Sequence, residues 1–210
     1  MLIPSKDCAL CPRLKAYREQ NKIKYPDKFN APVPSFGPLD ASFLITGLAP
    51  GLKGANFTGR PFTGDYAGDL LYQSLIKYGF ASGEYRACLN DGLVLNNCRI
   101  SNSVKCVPPA NKPTREEKET CRRFFESEIN EMKNLKVILA LGKIAHDSVL
   151  KVFNLTLSQN SFGHGNEHQI DKNISLIDSY HCSRYNTQTG RLTYEMFEEV
   201  ISRCRKKISA

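Results

Sequence analysis

Gly47-Leu48-Ala49-Pro50-Gly51-Leu52-Lys53-Gly54-Ala55-Asn56-Phe57-Thr58-Gly59-Arg60-Pro61-Phe62-Thr63-Gly64-Asp65 joins two very different stretches of chain. Before it, Phe43-Leu44-Ile45 is a short apolar run that reads as a buried strand. After it, Leu70, Leu71, Leu75 and Ile76 fall at the spacing of a helix's inner stripe. Between them, glycine and proline recur too densely for either element. Glycine lets backbone approach a ligand closely, and proline fixes φ. A loop this constrained at the end of a strand reads as a binding site rather than a spacer.

Working outward, strands and helices alternate. Residues 11–21 carry Leu14, Tyr17 and Arg18 at near-helical spacing, and the proline-rich stretch 24–39 reads as an irregular wrap. The helix after the long loop runs over 67–78 and stops at Gly79. Leu93-Val94-Leu95 reads as a second apolar strand. Thr114 and Glu117 form a capping box that opens a helix with Cys121, Phe124, Phe125 and Ile129 on one side. Val137–Leu141 and Ile174–Ile177 are further strands, the latter preceded by the polar stretch 163–171, and a last helix starts near Tyr194. Short, nearly all-apolar strands alternating with helices predict a single domain over 1–210. Its expected fold is a three-layer α/β/α sandwich around a four-stranded parallel sheet. The long loop, Asn102 and His181 each leave the carboxyl end of a strand, so they converge on the edge where such sheets bind ligands.

The 210 residues include 29 Lys and Arg against 21 Asp and Glu, a formal charge of +8 that favours a polyanionic partner. No apolar run is long enough to span a membrane, and no apolar segment of the signal-peptide kind opens the chain. A cytosolic place follows, where eight cysteines do not read as a disulfide framework. Cys8-Ala9-Leu10-Cys11 is a C-x-x-C pair, and Cys106 and Cys121 flank a proline loop and the start of a helix. Four thiolates so disposed suit a soft-metal centre, iron–sulfur or zinc. Cys98 and Cys204 read as small buried apolar residues, and Cys182 as ordinary packing.

The long loop resembles the first motif of uracil-DNA glycosylases, most closely family 5, with its Gly-Leu-Ala-Pro-Gly and Thr-Gly-Arg-x-Phe-Thr-Gly-Asp segments. Ser179-Tyr180-His181-Cys182-Ser183-Arg184-Tyr185-Asn186, followed by Thr189-Gly190-Arg191-Leu192, is similar to the family's second motif, with Cys182 in place of its usual proline. Ile100–Pro109 is a third match. The resemblance implies hydrolysis of the bond between uracil and deoxyribose in DNA, extending to other deaminated bases. It also implies a four-iron four-sulfur cluster on Cys8, Cys11, Cys106 and Cys121. The protein is expected to act as a monomer in the cytosol or nucleoid of a bacterium or archaeon, with DNA as partner and no membrane. A non-catalytic nucleic-acid-binding relative and an iron–sulfur redox protein are the alternatives.

On this reading Phe62 stacks on the extruded base and Asn102 reads its edge, since one carboxamide both donates and accepts. His181 donates to uracil O2. Gly47, Ala49 and Gly51 let backbone close on the base, and His164 contributes from a Phe-Gly-His-Gly stretch. Ser183, Arg184 and Arg191 contact phosphate or duplex. Ala49 stands where other families carry a polar group, which leaves Asn56 to position water. Asp65 reads as ordering the loop, and Phe57 departs from the family's frequent arginine. His146 reads as structural, and the spacing of His164 and His168 as a weak hint of metal.

Overall fold

β1 (Phe43–Gly47) is buried along its whole length, as its unbroken apolar run requires of a strand covered on both faces. The computed structural model describes residues 1–209. The order of elements is α1 (Pro12–Lys24), β1, α2 (Ala55–Thr58), α3 (Tyr66–Lys77), β2 (Ala81–Ser82), β3 (Val94–Leu95) and β4 (Cys98–Asn102). α4 (Arg115–Glu131), β5 (Val137–Leu141), α5 (Lys143–Val152), β6 (Glu167–Asp171), β7 (Ile174–Ser179), α6 (Arg184–Gln188) and α7 (Tyr194–Ser209) follow.

The central sheet has five strands in the order β4-β1-β5-β7-β6. β4, β1, β5 and β7 run parallel, four in number as expected. Successive residues alternate between two cores. Phe43, Ile45, Leu139 and Ile177 pack with α3 and α7 through Leu70, Leu75, Phe197 and Ile201. Leu44, Ile138 and Leu176 pack with α4 and α5 through Phe125, Ile129, Val149 and Leu150. This alternation makes the three layers. The capping box forms as read: the Glu117 amide donates to Thr114 Oγ1, and the Thr114 amide donates to the Glu117 carboxylate.

Two assignments change. The second parallel strand of the main sheet is Cys98–Asn102, not Leu93–Leu95; Val94 and Leu95 instead pair antiparallel with β2 in a small separate ribbon. β4 escapes an apolar reading because Arg99 and Ser101 are buried against one acid. Arg99 Nε and Ser101 Oγ donate to Glu128 at 2.6 and 2.7 Å, and Lys105 Nζ joins them at 2.9 Å. These partners hold the Glu128 carboxyl down at about 2 although burial pushes it up. The fifth strand, β6, lies in the polar stretch 163–171. It pairs antiparallel with β7 at the sheet edge, where only Ile170 is buried. Among the described residues no helix is long and apolar enough to cross a membrane.

Candidate active site

β1 and β4 run parallel with Gly47 opposite Asn102, so the loop after β1 and the end of β4 emerge side by side. His181 follows β7 at the same edge. A cavity of about 350 Å³ opens there, lined by Ala49, Gly51, Phe62, Asp65, Asn102, His181, Ser183 and Arg184 among others. That volume is at the small end of ligand sites and suits a nucleobase-sized guest. The Phe62 and His181 rings lie nearly parallel, their centroids 5.8 Å apart. Gly47 sits between plate and amide: a methyl group on it would lie 2.7 Å from both Phe62 Cζ and Asn102 Oδ1.

Phe62 has a left-handed backbone, φ +51°, unusual for a bulky residue. Its neighbours over-determine it. The Tyr72 hydroxyl donates to the Pro61 carbonyl at 2.6 Å, and Tyr85 donates to the Phe62 carbonyl at 3.2 Å. Arg60, two residues before, donates from its two terminal guanidinium nitrogens to Asp91 at 2.9 and 2.6 Å. Phe36, Tyr72 and Tyr85 rings surround that guanidinium at 5.1–5.7 Å. Strain of this kind persists only where the surroundings enforce it, and clusters at functional sites.

His181 has its pKa pushed down to about 4 by burial. The ring is therefore neutral at physiological pH, able to donate one hydrogen bond without carrying charge. Asp65 caps α3: its Oδ1 accepts from the Gly68 amide at 3.3 Å. Its Oδ2 lies against Gly51 and Gly54, and the residue lines the cavity. Burial raises its pKa, though backbone amides oppose the rise. A place in the cavity wall is not legible in the sequence, which marks Asp65 only as a residue that orders the loop.

Asn56, expected to position water, lies away from the cavity. Asn56 is fully buried, with Nδ2 donating to Asn30 Oδ1 at 2.8 Å, and it is not part of the cavity wall. Its place in α2 turns it toward the 24–39 wrap, which it staples to the loop. Gly47, His164 and Arg191 also lie outside the wall. His164 stacks on Tyr180, with Nδ1 accepting from the Tyr180 amide at 3.1 Å, and the Arg191 guanidinium covers Tyr180 at 4.5 Å. Ser183 caps α6, and exposed Arg184 lies over Tyr66 at the rim. Phe57 packs on Tyr25, ring centroids 4.8 Å apart, rather than presenting itself as a wedge. His146 is held by Asp178 and the Asn160 carbonyl, at 2.7 and 2.8 Å. With both ring nitrogens facing oxygens and its pKa raised by Asp178 against burial, its role is structural.

Cys8, Cys11, Cys106 and Cys121 pack together with Leu14, Val104, Phe124 and Ala49, all four as free thiols. Burial, first of all, lifts Cys11 to about 11 and Cys121 to about 12. Without a metal these groups are neutral thiols at physiological pH, and a metal would convert them to ligands. Two donors already point at the sulfurs: Arg18 Nη1 to Cys106 at 3.0 Å, and the Lys105 amide to Cys121 at 3.3 Å. This donor set fits a thiolate-bound metal centre.

The family model of the uracil DNA glycosylase superfamily matches residues 34–205. The chain is 42% identical over 204 residues to a type-5 uracil-DNA glycosylase of Thermus thermophilus, covering 95% of this chain and 93% of that one. It is 37% identical to a type-5 enzyme of Pyrobaculum aerophilum, covering 94% and 87%. It is 30% identical to a type-4 uracil-DNA glycosylase of Archaeoglobus fulgidus, covering 83% of each. A match of this extent, on a fold and a cavity of this construction, makes the chain a member of the uracil-DNA glycosylase superfamily, in its type-5 branch.

Proposed function

We propose that this chain hydrolyses the N-glycosidic bond of uracil in DNA and leaves an abasic site. The reading rests on one observation: Phe62, Asn102 and His181 line a single cavity at the carboxyl edge of the sheet. The bond is out of reach in a stacked duplex, so the nucleotide must swing out into the cavity. The base then stacks on Phe62. The Asn102 amide pairs with uracil O4 and N3–H, a pattern that cytosine reverses. As the bond breaks, negative charge grows on the base and positive charge on the sugar. The neutral His181 ring donates to O2 where that negative charge develops.

Asp65 is the carboxylate that orients the attacking water and takes its proton, in place of Asn56. Ala49 and Gly51 keep the wall thin enough for the base to lie against backbone. Gly47 keeps plate and reader apart, and His164 acts through Tyr180. Ser183, Arg184 and Arg191 contact phosphates and set register, with the charge of +8 aiding association. Hypoxanthine and other deaminated bases are within the substrate range.

Cys8, Cys11, Cys106 and Cys121 would hold a four-iron four-sulfur cluster, which cross-links the N-terminus to the 106–121 segment and supplies no electron to the hydrolysis. The packing of all four cysteines into one patch supports this reading. A single catalytic domain, a monomer, and action in the cytosol or nucleoid belong to the same reading.

The test is a uracil-containing duplex incubated with pure protein, then alkali to cut abasic sites. Cleavage by the wild type, abolished in His181→Ala, is the expected result. A wild type inactive on every deaminated base overturns the reading in favour of a non-catalytic relative.

A further inference from the structure

Leu14, Arg18 and Asn21 form the buried stripe of α1, which starts at the second cysteine of the C-x-x-C pair. Arg18 therefore points into the sulfur patch rather than to solvent, and it is only 1% exposed. Nη1 donates to Cys106 Sγ at 3.0 Å and Nη2 to the Cys8 carbonyl at 2.8 Å. Nε is buried with no partner. Among the described residues, no carboxylate pairs with this guanidinium. Glu117, the acid beside the patch, is engaged by Arg13 at 2.7 Å. The other two buried arginines are paired, Arg60 with Asp91 and Arg99 with Glu128.

A buried guanidinium without a counter-charge is among the costliest arrangements a fold can contain. Four cysteine thiolates around an iron–sulfur core would supply the missing charge, because they leave the centre net negative. We propose that Arg18 is the buried counter-ion of the thiolate centre, retaining the metal and raising its reduction potential through its charge and its hydrogen bond to Cys106. This inference rests on the cluster reading given above. Hydrogen bonds to cluster sulfurs and nearby positive charge both favour the more negative, reduced state. Partners that orient metal ligands commonly govern metal retention as strongly as the ligands' own surroundings.

The experiment compares wild type, Arg18→Gln and Arg18→Lys, purified without oxygen. Iron and sulfide per chain, loss of the absorbance near roughly 400 nm under a chelator, and the reduction potential are measured. Arg18→Gln is expected to lose iron about 10- to 100-fold faster and to show a more negative potential. Arg18→Lys keeps the charge but not the fork, so its potential stays near wild type while iron loss is about tenfold faster. Equal loss rates and equal potentials in wild type and Arg18→Gln overturn the proposal. Should the glutamine variant not fold, unchanged iron loss in Arg18→Lys overturns it. A wild type without iron and sulfide removes the cluster reading itself, and the inference with it. The wild-type metal content tells these failures apart.

Discussion

Asp91→Asn tests whether the support beneath Phe62 is electrostatic. The Asp91 carboxylate accepts four donors: Arg60 Nη1 and the Leu93 amide on Oδ1, Arg60 Nη2 and the Arg86 amide on Oδ2. A carboxamide has one acceptor oxygen, so either orientation turns its NH₂ toward two of these donors. Removing one partner of a buried ion pair costs about 3–5 kcal/mol. The three rings around Arg60 still face its charge, which places the loss toward the lower end, about 3 kcal/mol. For a chain of this size each kcal/mol moves Tm by about 2–4 °C, so a fall near 10 °C is expected.

The pH dependence gives a second reading from the same variant. Arg60 holds the Asp91 carboxyl far below its ordinary value of 3.8. A group depressed in the folded state contributes stability that is complete above the unfolded value and is lost as pH falls. The gap between wild type and variant should therefore be full at neutral pH and narrow below about pH 4. Thermal melts followed by circular dichroism at several pH values measure both effects. A fall of less than about 2 °C at neutral pH, or a gap that widens in acid, refutes the argument.

Asp65→Asn lowers single-turnover cleavage by about 10²- to 10⁴-fold, whereas Asn56→Ala leaves that rate unchanged and costs about 1 kcal/mol of stability; the reverse ranking restores Asn56 to the chemistry. On the proposed role, with burial pushing the His181 pKa down to about 4 and the ring donating while neutral, cleavage rates show no inflection at the ordinary histidine value of 6.5 and fall only well below it; a bend at 6.5 in a pH–rate profile refutes this. Gly47→Ala puts a methyl group 2.7 Å from both Phe62 and Asn102, and displacement of that order lowers kcat/KM by about 100-fold, while salt-dependent DNA binding stays unchanged when measured by titration.

Much of the architecture was legible in the residues. Phe43–Ile45 and Val137–Leu141 are apolar because helices cover both faces of the sheet there, and Thr114 with Glu117 marks a helix start. The convergence of the long loop, Asn102 and His181 followed from the ends of strands alone. What could not be read depends on partners distant in sequence. Arg99 and Ser101 look unlike a buried strand until Glu128, from α4, is brought against them. Residues 167–171 look like loop because an edge strand exposes one side to water. Asn56 and Asp65 stand nine residues apart in one loop. Only the path of that loop decides that the amide turns inward to Asn30 while the carboxylate reaches the cavity.

Ala49 belongs to two surroundings at once, lining the cavity and packing against the sulfur patch. A larger polar side chain there would have to crowd the guest or bring unsatisfied hydrogen-bonding groups against apolar neighbours. The back wall thus assigns labour within the loop. On the proposed function, the water-directing chemistry that a polar group at the start of the loop could perform falls to Asp65 at its far end, and the small methyl at position 49 lets cavity and sulfur patch share one wall.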